Sequence, residues 1–221
     1  YNYADEVRGE IDIDDQNNVY VVTCTASPDF PMVGNTFQSA YGGGALDAVI
    51  IKMNNNLSTL IWSSFIGGND ADAAYSVALD KNSNLFITGG TRSTNFPVTA
   101  GRLQTTNGGG NCDGFIAHIN QNGQQIINAT YYGYGSYDQV YFIETNRNDE
   151  VFVLGQAENS SVNYIKNAQY NVPNAGQFIS KINYTLDTVI WSTTFGKPTN
   201  RPDVSPTAFL VDLCNKLYVA G

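Results

Sequence analysis

Four aspartates recur on a single spacing: Asp47 and Asp113 stand 66 residues apart, and so do Asp72 and Asp138. Carboxylates repeated in this way could ring a cation such as Ca2+, or accept hydrogen bonds from sugar hydroxyls. A plainer chemistry also fits, because aspartate ends turns and satisfies loose backbone N–H groups. A structural role recurs once per unit, so the repetition itself favours the plainer account. Asp70 and Asp203 fall in the same loops.

Other reactive residue types give less. The Asp80-Lys81-Asn82-Ser83-Asn84 stretch, like Asp14-Asp15-Gln16-Asn17-Asn18, alternates oxygen donors as a calcium loop does. It lacks the glycine and the bidentate glutamate of such a loop, and reads as a polar β-turn. His118 is the single histidine, and Lys52 and Lys181 hold the matching positions, which predicts a solvated strand face and no Ser-His-Asp or metal-ligand cluster. Trp62 and Trp191 share one strand position and are expected to pack between neighbouring units rather than stack on sugar rings. Three cysteines, Cys24, Cys112 and Cys214, make no disulfide framework, and a thiol nucleophile would need a base that one histidine hardly supplies. No catalytic residue, metal ligand or cofactor is assigned.

These residues are carried by a repeat. Asn18-Val19-Tyr20-Val21, Asn84-Leu85-Phe86-Ile87, Glu150-Val151-Phe152-Val153 and Lys216-Leu217-Tyr218-Val219 recur with a period of 66 residues. In the second unit the alternation predicts strands near Tyr75–Asp80, Asn84–Gly90, Asp113–Asn120 and Gln124–Tyr132, bounded by Asn, Asp and Gly turns. Four short strands per unit in tandem predict an all-β fold of β-propeller blades, each of four antiparallel strands. The units run about 3–68, 69–134 and 135–198, with 199–221 incomplete, inside one partial propeller domain spanning 1–221. Both termini cut through a unit, so a piece of a longer chain is expected, with flanking blades of the same parent as its first partners. The long loop between the second and third strands carries Phe30-Pro31 and Phe96-Pro97 but Val162-Asn163 in the third unit. This predicts an aromatic plug on the first two blades and divergence in the third.

Composition narrows the function. A net charge of −9 and a pI near 4.3 repel a phosphate backbone, which excludes nucleic acid as a natural partner. No apolar run is long enough for a transmembrane helix, so membrane insertion is not expected.

As a set, Val77-Ala78-Leu79-Asp80, Asn84-Leu85-Phe86-Ile87-Thr88-Gly89, Phe96-Pro97, Gly108-Gly109-Gly110 and Asp113-Gly114-Phe115-Ile116 resemble the bacterial seven-bladed β-propeller (SBBP) repeat. The first unit adds Tyr41-Gly42-Gly43-Gly44, Lys52 and Gly67-Gly68; the closing glycine pair becomes Gly133-Tyr134 and Gly196-Lys197 later on. The resemblance implies an extracellular or cell-surface bacterial protein, often with adhesin-like or scaffold modules and often cargo of Bacteroidetes-type (type IX) outer-membrane secretion. It implies surface glycans or secretion machinery as partners and supplies no catalytic set. The expected function is a non-catalytic propeller segment acting as scaffold, adhesion or secreted-cargo module. The alternative is a carbohydrate-active propeller that binds or hydrolyses glycans with Asp and Glu on the loop-rich face.

Overall fold

A computed structural model describes residues 9–159 and 161–221. They form three four-stranded antiparallel sheets and a two-stranded one, each meandering in sequence order. The first sheet holds β1 (Glu10–Ile13), β2 (Val19–Thr25), β3 (Asp47–Met53) and β4 (Leu60–Ile66). The second holds β5 (Asp72–Leu79), β6 (Leu85–Thr91), β7 (Asp113–Ile119) and β8 (Ile126–Tyr132). The third holds β9 (Tyr137–Thr145), β10 (Val151–Glu158), β11 (Gln177–Ile182) and β12 (Val189–Phe195), and β13 (Ala208–Val211) pairs with β14 (Leu217–Ala220). Successive first strands pack side by side, β1 on β5, β5 on β9, β9 on β13. That is the radial arrangement of propeller blades.

Local chemistry fixes each hairpin. Between the first and second strands, Asp14, Asp80 and Asp212 accept hydrogen bonds through Oδ1 from the amides two and four residues on, at 2.8–3.0 Å. Asn146 does the same for Asn148 and Glu150 at 3.0 Å. Asn54, Asn120 and Asn183 play that part between the third and fourth strands, each holding the amides four and five residues on. These are Asx-turns, in which a short side chain takes the place of a backbone turn. The second-strand to third-strand alignment puts Ile50, Ile116 and Ile179 opposite Val22, Thr88 and Leu154. Ile179 follows Ile116 by 63 residues where Ile116 follows Ile50 by 66, so the third unit's loop is three residues shorter and its register is intact. Each pairing of third and fourth strands carries a bulge at the same place, after Lys52, His118 and Lys181.

The middle blade is covered on both faces, and every residue of β6 and β7 is buried. The inner strands do not pair through backbone ladders. Side chains of one blade cap the next instead: Glu10 Oε2 accepts from Val77 N and Asp12 Oδ2 from Leu79 N, both at 3.1 Å, and Ser76 Oγ accepts from Ile143 N at 3.0 Å. Outer contacts run through the hairpins. Trp62 Nε1 donates to Gln121 O of the next blade at 3.0 Å, and Gly123 lies flat on the indole ring. Leu186, fully buried, reaches back to the second blade, where Leu103 N donates to its carbonyl at 2.9 Å. The expected packing of Trp62 between units is therefore observed.

The aromatic plug is present as well. Phe96 packs on Phe115 with ring centroids 4.4 Å apart, and its N–H donates to Tyr131 Oη at 2.9 Å. In the third blade, which lacks Phe-Pro, a 3₁₀ turn at Ser161–Tyr164 stacks Tyr164 on Phe178 at 4.0 Å. The plug is rebuilt from a different residue.

Neighbouring blades also approach backbone to backbone. A Cβ at Gly44 would lie 2.4 Å from Asp70 C, and one at Gly110 would lie 2.2 Å from Ser136 N and O. Both glycines also have positive φ, +69° and +84°. Gly110→Ala is expected to cost about 2–4 kcal/mol, combining strain with overpacking. Gly109→Ala, at a φ of +94° with nothing within 4 Å, should cost only about 1 kcal/mol from strain alone. Urea unfolding of the two variants measures the difference; equal costs would contradict the packing described.

Candidate functional site

The four repeated aspartates all lie at blade junctions, fully buried. Asp47 and Asp113 begin third strands, and their Oδ2 atoms accept from Gly42 N and, at 2.6 Å, from Gly108 N. Asp72 begins β5 and Asp138 is the second residue of β9, and their Oδ2 atoms accept from Gly68 N and Tyr134 N, each at 2.7 Å. Asp203 repeats this with Lys197 N at 3.0 Å. Backbone bonds tie the two sets together: Asp72 N donates to Leu46 O and Asp138 N to Cys112 O, both at 2.9 Å. The glycine that closes each fourth strand fits between them. A Cβ at Gly67 would lie 2.7 Å from Asp72 Oδ2 and 2.9 Å from Asp47 Oδ1. At Gly133 it would lie 2.2 Å from Asp113 Oδ1. The space between the carboxylates is therefore filled by a glycine Cα. Among the described residues no group of three or more His, Cys, Asp or Glu side chains is arranged to hold a metal ion.

Burial pushes the Asp72 carboxyl up to about 6, with the Asp47 charge adding to the rise, and burial alone pushes Asp113 up to about 6. Hydrogen bonds from Thr91, Gly68 and Ser93 on Asp72, and from Gly108 and Gly109 on Asp113, oppose the rise without cancelling it.

His118 departs from its expected place. Instead of a solvated strand face it has no exposed surface, and Lys52 is also buried. The reason is architectural: a third strand is covered on both faces by neighbouring blades, so a polar residue there needs a buried partner. His118 Nε2 lies 3.3 Å from Asp80 Oδ2, and Phe86 stacks on the imidazole at 4.0 Å. Tyr184, from the next blade, donates its hydroxyl to the same Asp80 oxygen at 2.8 Å. The first blade builds the matching cluster from Asp14, Lys52 and Tyr20, with Lys52 Nζ 3.3 Å from Asp14 Oδ2 and 2.5 Å from the Tyr20 hydroxyl. In the third, Lys181 pairs with Glu150 at 2.8 Å and sits over the Phe152 ring. There the acid has moved from the turn position to the position four residues on, and Asn146 donates to it. An acid, a lysine or histidine and an aromatic ring thus recur in each full blade. The signal was present in the sequence, since Asp14, Asp80 and Asn146 share the period of Tyr20, Phe86 and Phe152. Burial alone would raise the Asp80 carboxyl, yet His118, Asn84 and Tyr184 together hold it well below its ordinary value.

What faces solvent on the loop-rich side is a different set. A cleft of about 660 Å³ opens between the second and third blades, lined by Asp70, Arg92, Asn111, Ser136, Tyr137 and Glu158 with the Gly110 backbone. It shares Arg92 with a smaller recess of about 120 Å³, lined by Leu46, Ala73, Tyr75, Cys112 and Gln139 among others. Gln139, buried, donates through Nε2 to Tyr75 Oη at 2.8 Å and to Tyr137 Oη at 3.1 Å. Of this cleft only Asp70 is expected from the sequence, as an acid in a loop.

Residues 61–97 match the SBBP family model, a beta-propeller repeat. The matched segment runs from β4 through the Asp72 turn and the β5–β6 hairpin to the Phe96-Pro97 plug, and so crosses a blade junction. No curated protein matches the chain. Among the described residues no helix is long and apolar enough to cross a membrane.

Two expectations follow. Asp72 and Asp113 keep a proton in the folded state at pH values where the unfolded chain has lost it. Stability should therefore fall as pH rises from about 4 to about 6, by about 2 kcal/mol for each group. An Asp72→Asn, Asp113→Asn double variant should lose most of that slope in urea unfolding. It should keep the part due to Glu144, which burial pushes up to about 7. Separately, Asp80→Ala strands His118 and the Tyr184 hydroxyl and should cost about 3 kcal/mol, whereas exposed Asp15→Ala should change stability by less than about 0.5 kcal/mol.

Proposed function

We propose that this chain is a non-catalytic β-propeller segment of a large secreted or cell-surface bacterial protein, serving as scaffold, adhesion or secreted-cargo module. One observation carries the proposal: the repeated titratable groups are engaged in holding blades together. Asp47, Asp72, Asp113 and Asp138 hold backbone amides, and the Asp80–His118 and Asp14–Lys52 clusters are closed off between sheets. The resemblance to SBBP repeats points the same way, and with it export by a Bacteroidetes-type outer-membrane system.

Further blades of the parent chain are the natural neighbours. Trp191 is half-buried beside a cavity of about 350 Å³ that includes Tyr170, whereas its counterpart Trp62 is covered by the next blade. Leu57 is 58% exposed at the hairpin position where Leu186 is fully buried. Apolar surface of this kind at both flanks suits another blade on each side.

The test combines location and chemistry. In intact cells of the source bacterium, external protease should remove the native protein, and the purified protein should show no turnover of glycan or peptide panels. Turnover abolished by a carboxylate substitution would overturn the non-catalytic reading. Protection from external protease, with release only after lysis, would overturn the surface assignment.

A further inference from the structure

We propose that the cleft between the second and third blades binds a neutral saccharide, an inference that rests on the reading of this chain as a module with an exposed loop face. The argument begins with where the repeat stops repeating. Positions that hold the fold keep their chemistry from one junction to the next: Asp47 and Asp113, Asp72 and Asp138, Gly44 and Gly110. Positions lining the cleft do not. Asn111 stands where the preceding junction has Ala45, and Tyr137 where it has Ala71. Glu158 stands at the place of Arg92, and Ser136 at that of Asp70. Beneath them the buried Gln139 replaces Ala73. A blade needs none of these substitutions, since the first junction packs without them.

The substituted residues converge. Asn111 N donates to Ser136 O at 2.6 Å across the Gly110 contact, which fixes both at the wall of the cleft. The buried Gln139 amide donates both to the Tyr75 hydroxyl at 2.8 Å and to the Tyr137 hydroxyl at 3.1 Å, which fixes the Tyr137 ring at the base of the cleft. At about 660 Å³ the cleft falls within the ordinary size range of ligand sites, and its lining is almost wholly polar.

Charge selects the ligand class. The cleft presents one guanidinium, Arg92, and two carboxylates, Asp70 and Glu158, on a chain of net charge −9. Anions meet two carboxylates and an unfavourable overall field, and the Arg92 guanidinium in the same lining opposes a cation at close range although the overall field attracts it. Apolar ligands find little to bury. A neutral polyhydroxylated ligand matches every group, because each hydroxyl donates to a carboxylate and accepts from the guanidinium or from an amide N–H.

The test is calorimetric titration of the protein with neutral gluco-, galacto-, manno- and N-acetylglucosamine oligosaccharides, with sialylated and uronate-containing glycans alongside. At least one neutral series should bind with Kd between about 10 μM and 1 mM. Arg92→Ala and the Asp70→Asn, Glu158→Gln double variant should each weaken binding about tenfold or more. Arg147→Ala, in the hairpin at the far end of the third blade, should leave it unchanged, and thermal unfolding confirms that all variants fold. No neutral saccharide binding at about 10 mM, preference for the anionic glycans, or indifference to the cleft variants would each overturn the assignment. Turnover of a bound saccharide would leave the site standing and remove only the non-catalytic reading.

Discussion

The structure depends on one close approach: the loop entering each new blade lies backbone-on-backbone against the glycine-rich loop of the blade before it. Asp70 meets Gly44, Ser136 meets Gly110, and Arg201 with Pro202 meets Gly176. Contact at this range leaves amides with no room for water and no ladder partner, so another acceptor must be brought to them. Aspartates supply it, buried at Asp47, Asp72, Asp113 and Asp138 and exposed at Asp203. Asp47 and Asp113 reach the glycine-rich loop, while Asp72, Asp138 and Asp203 reach the turn that leaves the fourth strand. Where the third blade lacks the first kind of aspartate, Gln177 clamps Val204 through both its carbonyl and its amide. The chemistry changes and the constraint is still met.

A second consequence follows from stacking blades face to face. Middle strands lose their solvent side, so polar residues on them are forced into buried pairs. The clusters of acid, nitrogen-bearing side chain and ring around Lys52, His118 and Lys181 are the result, and their members change from blade to blade while the buried pairing is kept. Tyr184 crosses from one blade to share Asp80 with His118, which makes the cluster part of the junction as well as of the blade.

Much of this was legible in the residues. The period, the four strands of the second unit within a few positions and the Trp62 contact all followed from alternation and spacing, because those signals are local. The environment of His118 was not legible by the same route. Alternation assigns a face but cannot say whether that face meets water or another sheet, and a lone histidine aligned with lysines reads as solvated. Tyr164 was missed for a similar reason, since it reaches Phe178 through a 3₁₀ turn that breaks the register of the Phe-Pro motif. The cleft was hardest to see. Its residues come from the ends of four separate loops, and they differ from their repeat counterparts, so a periodic signal does not mark them.

This division gives the account its shape: recurring residues build blades, and departures from recurrence at a solvent-facing rim carry what is particular to this chain. The most direct measurement is site-resolved amide hydrogen exchange on the native protein. If buried carboxylates hold the junctions, the Gly68, Gly108 and Tyr134 amides should exchange slowly, as strand amides do, although all three lie in loops. Exchange at these sites as fast as at Gly101, whose surroundings are open, would contradict it.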